Sequence, residues 1–259
     1  MIMTDFTPTP ERHKRILSQL IKQGRLSVAE IVEQFSVSEA TARRDLESLA
    51  SEGKVQRVHG GAIAAEKAPP ELPILERENE QTDEKVRIGR MTAELIADKE
   101  TIFLGSGTTV LEVAKNLRDR KNLTVITNSL PVLNALAGIK EIMVISLGGM
   151  LRDTELSFIG HITEQALAEV HVDKVVIGTR GISFEHGLTN DYLQETLTDR
   201  AILKIGREVI IVADHSKVNR VSTVLLAPLD VMHTFVTDSS SDKKFIQSLK
   251  KQNVNVIMA

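Results

Sequence analysis

The sequence contains no cysteine, which excludes disulfides, thiolate catalysis and cysteine-ligated zinc. Its seven histidines are scattered without a His-x-x-x-His pair, so neither a structural metal nor a bound cofactor is expected. No apolar run approaches the ~18 residues that a membrane helix needs. The start, Met1-Ile2-Met3-Thr4-Asp5-Phe6, lacks a basic stretch followed by an apolar one, so a cytoplasmic protein without membrane contact is expected. Internal repeats and low-complexity tracts are also missing. A formal charge of −3 argues against a uniformly basic nucleic-acid binder, although an average over two domains can hide opposite signs. From Arg12 to Gly61, nine Lys and Arg stand against six Asp and Glu, leaving +3 in this stretch and −6 elsewhere. That excess suits a nucleic-acid surface and equally a solvated face.

With 259 residues and 42% hydrophobic content, the chain can bury a sizeable core, and its patterning changes once along its length. Residues up to Leu49 read as three short helices. Thr9-Pro10-Glu11 places a cap and then a first-turn proline before Ile16, Leu17, Leu20 and Ile21, and Gly24 ends that helix. Ser27-Val28-Ala29-Glu30 has capping-box spacing and opens a second helix with Val28, Ile31, Val32 and Phe35 on one face. After the turn Ser36-Val37-Ser38, a third helix buries Ala42, Leu46 and Leu49. A strand-like run from Lys54 to Gly61 follows. Residues 62–84, with Pro69-Pro70 and Pro73, read as an extended linker between a first domain over 1–61 and a second over 85–259. In the second domain, a helix over Lys85 to Ala97 precedes seven apolar strands that alternate with helices: Thr101–Leu104, Leu123–Thr127, Ile142–Leu147, Lys174–Gly178, Glu208–Ala213, Thr234–Thr237 and Val254–Ile257. Continuous apolar strands of this kind predict a doubly wound, mostly parallel sheet of Rossmann-like α/β class, covered on both faces.

Three helices with a tight turn before the third describe a helix-turn-helix, whose last helix enters the major groove of double-stranded DNA. At 100° per residue, the face opposite Ala42, Leu46 and Leu49 carries Ala40, Thr41, Arg44, Glu47, Ser48 and Ser51, with Arg43 on the flank. Arg44 could pair bidentately with guanine, Thr41 offers a hydroxyl and a methyl, and Arg43 suits phosphate. In the alternative reading, both arginines form ion pairs with Glu39, Glu47 or Asp45 on an ordinary exposed helix. Arg12, Ile16, Leu20, Ser38, Thr41, Ala42, Arg43, Arg44, Asp45 and Leu46 follow without a gap the signature of the DeoR family of bacterial regulators, which this segment resembles. The resemblance implies that Ser38, Thr41, Arg43 and Arg44 meet DNA, and that the run Val55 to Gly61 is a wing bearing Arg57 and His59 as further contacts.

Strand Thr101–Leu104 runs into Gly105-Ser106-Gly107-Thr108-Thr109, after which a helix is expected near Val110. Free backbone N–H groups at a helix N-terminus form an anion seat, and Ser106, Gly107, Thr108 and Thr109 suit a phosphate. Further polar or glycine-rich loops close the later strands: Thr127-Asn128-Ser129, Gly148-Gly149, Gly178-Thr179-Arg180-Gly181 and Asp214-His215-Ser216-Lys217. Ligands of open α/β sheets bind at that edge, so Lys217 or Arg180 could supply charge and Asn128 could bond hydroxyls. Ordinary turn chemistry is the other reading, particularly for Gly148 and Gly149, whose neighbour Arg152 is then simply solvated. These blocks also resemble the DeoR-family sensor domain, which is similar to sugar-phosphate isomerases of the ribose-5-phosphate isomerase type. The resemblance implies an effector site built from Ser106, Gly107, Thr108, Thr109, Asn128, Ser129, Gly148, Gly149, Arg180, Glu195 and Lys217.

Gly105 and Arg180 depart from the family pattern, and an arginine at that loop would favour a second negative charge on the ligand, as in a bisphosphate or a sugar-acid phosphate. The loop Gly178 to Ile182 carries no acid, which disfavours the alternative of an active sugar-phosphate isomerase, although Asp191, Glu195 and Asp214 remain as conceivable bases. The family resemblance implies a repressor of carbohydrate operons that works as a homo-oligomer, dimer or tetramer, and is modulated by a phosphorylated sugar.

Overall fold

The computed structural model describes residues 9–23, 25–52, 54–64 and 71–259. The chain divides into two compact units, Met1–Pro70 and Glu71–Ala259. Gly24, expected to end the first helix, and Pro69-Pro70 lie outside the described residues, as does the side chain of Ile21.

In the first unit, α1 (Thr9–Gln23), α2 (Val28–Phe35) and α3 (Glu39–Ser51) pack around Ile16, Leu20, Ile31, Leu46 and Leu49. The capping box at Ser27 is present: its Oγ accepts from Glu30 N at 3.2 Å, while Glu30 Oε2 accepts from Ser27 N at 2.6 Å. Ser36 takes a left-handed conformation at φ 50° and ends α2, and Ser38 caps α3 by accepting from Thr41 N at 3.1 Å. The run after α3 is a hairpin of β2 (Val55–Val58) and β3 (Gly61–Ala64), completed by a short β1 (Arg25–Ser27) in the order β1-β3-β2. β1 pairs across Gly61, where a Cβ would stand 2.3 Å from Leu26 O. The wing therefore runs to Ala64, past the boundary expected at residue 61.

The second unit is built on one parallel sheet that contains all seven expected strands: β4 (Thr101–Leu104), β5 (Leu123–Thr127), β6 (Ile142–Ser146), β9 (Val172–Ile177), β12 (Gly206–Val212), β14 (Thr234–Thr237) and β15 (Asn255–Met258). Their order is β15-β14-β12-β9-β4-β5-β6. The pleat divides the core between two faces. Phe103, Val175, Ile177, Ile211 and Phe235 meet α8 (His161–Leu167), α9 (Leu193–Ile205) and α10 (Lys243–Lys251). Their neighbours Ile102, Leu104, Val176, Ile210 and Val236 meet α5 (Thr82–Glu94), α6 (Thr108–Lys115) and α7 (Leu130–Leu136). Burial on both sides is why these strands are apolar at every position rather than at alternate ones.

Two departures from the sequence reading bear on the site. Short strands unread in the sequence form the hairpin β7 (Met150–Arg152) and β8 (Ser157–Ile159), and a small sheet of β10 (Gly181–Ser183), β11 (Gly187–Asn190) and β13 (Val224–Ala227). Three or four residues are too few for a period to show. The supposed linker is also partly folded. Residues 71–84 belong to the second unit, where Ile74 is buried in the one-turn α4 (Ile74–Arg77) and α5 begins at Thr82.

Candidate DNA-reading helix and effector site

Burial of Ala42, Leu46 and Leu49 turns the opposite face of α3 outward as expected, but Asp45 turns inward with them. Asp45 takes a two-pronged grip from Arg12, with Nε–Oδ2 at 2.5 Å and Nη2–Oδ1 at 3.0 Å, and His13 Nε2 adds a contact at 3.1 Å. Hydrogen bonding to Asp45, reinforced by its charge, raises the Arg12 pKa despite the cost of burial. Asp45 is thus a structural partner of α1 and unavailable to the neighbouring arginines. Arg43, exposed, pairs with Glu39 at 2.6 Å. Arg44 is exposed and, among the described residues, has neither a hydrogen-bond nor an ion-pair partner. Thr41 is half-buried with its hydroxyl 2.9 Å from Ser38 Oγ, so the Ser38 side chain serves first as the helix cap.

The wing differs from the expectation at Arg57. Its Nη1 donates to the Arg43 carbonyl at 3.1 Å and lies 3.8 Å from Glu47, which braces the hairpin on α3. His59, in the exposed turn before Gly60, remains at the tip.

In the second unit, β4 lies between β5 and β9, and the connections leaving β4 and β9 part to opposite sides of the sheet. Open α/β sheets bind ligands in the crevice at such a switch point. Gly105 N extends the ladder by donating to Val176 O at 3.0 Å, and Gly107, at φ 109°, starts α6 at Thr108, two residues earlier than expected. No side chain caps this end. The first intrahelical bond is Leu111 N to Gly107 O at 2.9 Å, so the N–H groups of the opening turn have no helical acceptor. From β5, Thr127 Oγ1 donates to Leu104 O at 2.7 Å and accepts from Ser129 N at 3.0 Å, which fixes the next loop. There the buried Asn128 donates through Nδ2 to Phe158 O at 3.0 Å, and its carboxamide oxygen has no partner among the described residues. Ser129 is occupied as the cap of α7.

Gly148 is exposed, with nothing within 4 Å of where its Cβ would stand, whereas Gly149 is packed against α8. Gly148 O accepts from Thr163 Oγ1 at 2.8 Å, and a Cβ on Gly149, at φ 149°, would stand 2.2 Å from that oxygen. Close approach of α8 and a positive φ explain the glycine at 149 but not the one at 148. Arg152 is not simply solvated either. Its guanidinium bridges Glu71 and Glu195 and lies 4.6 Å over the Tyr192 ring. Glu195 also accepts from Ser157 Oγ at 3.0 Å. Arg180 is buried beside Asp191 at 3.1 Å and Glu71 at 4.0 Å, so its charge is already compensated.

The remaining cations gather near the phosphate loop. Arg77 pairs with Glu155, whose Oε1 is 3.7 Å from where a Cβ on Gly107 would be, and the Arg77 charge is felt at Lys217. Burial pulls the Lys217 pKa down against the attraction of Asp214. Lys85, on the core-facing side of α5, donates to Arg77 O at 2.5 Å, and burial lowers its pKa to about 8. His215 Nδ1 donates to the Asp238 carboxylate across 2.9 Å; burial opposes the charge on His215, but Asp238 raises its pKa overall. Glu71, Arg77, Lys85 and Glu155 escaped the sequence reading. Lys85 carried one signal, its position three residues before the buried Ile88 on the same helical face.

Burial, with Glu195 and Glu71 adding repulsion against the pull of Arg77, drives Glu155 up to about 7 from 4.5. The folded chain therefore holds an extra proton between those values, and this group's contribution to stability falls as pH rises from about 4.5 to 7. Glu195 and Asp199, also raised by burial, act with the same sign. Melting curves over this range should show a negative slope for the wild type that is reduced in Glu155→Gln.

The family description "DeoR C terminal sensor domain" matches residues 80–239, more than half of the chain, and "DeoR-like helix-turn-helix domain" matches residues 12–68. The chain belongs to the DeoR family. It is 34% identical over 238 residues to the transcriptional repressor AccR of Agrobacterium fabrum, covering 91% of this chain and 92% of that one. It is 35% identical over 246 residues to the glycerol-3-phosphate regulon repressor of Escherichia coli, covering 95% and 97%. A ribose 5-phosphate isomerase A from Methanocaldococcus jannaschii overlays 54% of this chain and 55% of its own at 19% identity, with a TM-score of 0.39. This DeoR-family chain is a DNA-binding transcription regulator with a small-molecule sensor domain, and the isomerase alternative finds no support among its relatives. Among the described residues, no helix is long and apolar enough to cross a membrane.

Proposed function

We propose that this regulator represses a carbohydrate operon by reading double-stranded operator DNA with α3, as a homo-oligomer in the cytoplasm, and is released by a phosphorylated polyhydroxy compound. The observation that carries the effector reading is the uncapped start of α6 at the β4/β9 switch point, in the same charge cluster as Lys217. The N–H groups of Gly107, Thr108 and Thr109 and the hydroxyls of Ser106, Thr108 and Thr109 would hold the phosphate with Lys217. The unpartnered oxygen of Asn128 would accept from a ligand hydroxyl, and Glu195 lines the polar wall. Because Arg180 is compensated by Asp191 and Glu71, a single phosphate fits better than the second negative charge that an arginine in this loop first suggests. The oligomer is argued from the reader, since one head of this size makes too few contacts and paired heads would meet half-sites about 10 bp apart. The domain plan is a reader within Met1–Pro70 and a sensor over Glu71–Ala259.

Thermal-shift screening of the full chain against sugar phosphates, polyol phosphates and their unphosphorylated parents tests the reading. A specific ligand raises the melting temperature by mass action. Only phosphorylated compounds should do so, monophosphates at least as strongly as matched bisphosphates, and equal shifts from the parents would overturn the phosphate seat. Lys217→Ala should weaken the best compound about 10- to 150-fold in calorimetric titration, the span of a charge-assisted hydrogen bond.

A further inference from the structure

The stretch that leaves the DNA reader does not pass by the sensor; it is fastened to the wall of the effector site. Glu71, the first residue of the second unit, pairs with Arg152. Ile74 N donates to Thr154 O at 2.7 Å, and the Ile74 side chain is buried. Arg77 donates to Leu72 O at 2.9 Å, pairs with Glu155, and receives Lys85 Nζ on its own carbonyl at 2.5 Å. Arg152, Thr154 and Glu155 all belong to the β7–β8 hairpin. That hairpin is in turn bonded to the effector loop, by Phe158 N to Asn128 O at 2.7 Å, Leu130 N to Leu156 O at 2.9 Å, and a bridge between Ser129 and Ser157.

We propose that segment 71–80 is a latch: its ion pairs Glu71–Arg152 and Arg77–Glu155 hold it closed on the effector site, and an anionic ligand opens it and so reports occupancy to the DNA reader. This rests on the phosphate seat argued above and adds how that seat is heard. The latch is finely balanced because carboxylates crowd it. Glu71, Glu155 and Glu195 share Arg152 and Arg77, and Asp199 feels Glu195, Glu155 and Glu71 as well. A phosphate beside Gly107 would add negative charge next to Glu155 and offer Arg77 a second anion.

A ligand shifts an equilibrium only by binding one state better than the other. Here the difference is concrete. Arg77 is engaged by Glu155 in the closed latch and becomes a ligand contact only when it leaves that carboxylate. Release of Arg77 frees α4, whose only other charged tie to the hairpin among the described residues is made by Glu71. The segment then slackens next to the connector from the reader. Glu71 and Glu155 are thus positioning residues for the response, acting through Arg152 and Arg77.

The test begins without ligand. Full-length wild type, Glu71→Gln and Glu155→Gln are compared by hydrogen exchange over residues 72–80 and by affinity for a DNA fragment that the wild type selects from a random library. Each variant should exchange there about tenfold faster and bind the DNA about tenfold more weakly, with the melting transition of the sensor retained. Faster exchange with unchanged DNA affinity would overturn the latch and leave a merely structural clasp. Unchanged exchange in both variants would show that the ion pairs hold nothing. Inorganic phosphate is then added to the wild type until amides 106–111 become protected. Exchange over 72–80 should rise at that concentration, and slower or constant exchange there would sink the proposed direction. If no concentration protects 106–111, the phosphate seat itself fails, an outcome separate from the ligand-free comparison.

Discussion

Replacing Asp45 by alanine is expected to unfold the DNA reader while leaving the sensor folded. The two side chains of the Arg12–Asp45 pair are each only 5% exposed, so removing the carboxylate strands a guanidinium in the core of a small domain. Breaking a buried pair from one side costs about 3–5 kcal/mol. A domain of roughly 60 residues has only ~3–9 kcal/mol of stability to lose. Calorimetry of the full chain should show the reader's transition lowered or absent and the sensor's unchanged, with DNA binding lost at all salt concentrations. Asp45→Asn, which keeps the shape and one acceptor, should fall between. A reader that melts normally in Asp45→Ala would mean that the pair contributes little, as exposed pairs do.

Arg44→Ala is expected to relax sequence discrimination at one base position without unfolding anything, since this side chain is exposed and has no partner among the described residues. A bidentate arginine on guanine is worth about 1–3 kcal/mol of discrimination, or roughly 5- to 150-fold between the right base and a wrong one. Selection from random DNA should return a site with one position relaxed. Arg43→Ala should behave differently. Arg43 must exchange Glu39 for a phosphate, so its loss should weaken binding to all sequences alike and lower the slope of log affinity against log salt by about 0.9. Equal behaviour of the two variants would mean that α3 does not read bases through Arg44.

Position on the helix distinguishes these residues, and it was legible before any coordinates. Ala42, Leu46 and Leu49 defined the buried stripe of α3, and the outward placement of Arg44 followed from a rotation of 100° per residue. Asp45 stood in the sequence only as one of three acids that could pair with Arg43 or Arg44. A carboxylate beside a buried stripe reads as exposed unless a cation waits inside, and the one that does is 33 residues away on α1. Arg57 shows the same limit, because no local pattern reveals that its guanidinium also donates to the Arg43 carbonyl, 3.1 Å away on α3.

In the sensor, the seven strands were visible as apolar runs, and the phosphate loop as glycine and hydroxyls between a strand and a helix. Their order in the sheet was not, and the order is what puts the ends of β4 and β9 side by side at a switch point. Nor could local pattern show that Gly149 lies against Thr163, since any small turn has that composition.

By itself the sequence determined the class of each half: a helix-turn-helix whose outward face follows from its buried stripe, and a doubly wound sheet with a glycine- and hydroxyl-rich turn after its first strand. Both are properties of neighbouring residues, set by helical and strand periods and by the conformations open to glycine, so they are written within a few residues of where they act. The tertiary structure alone decided which charges meet. Arg77 with Glu155 and Arg152 with Glu71 join residues 78 and 81 positions apart, and no period of the chain encodes such a distance. These long-range pairs turn a stretch that reads as linker into part of the second folded unit.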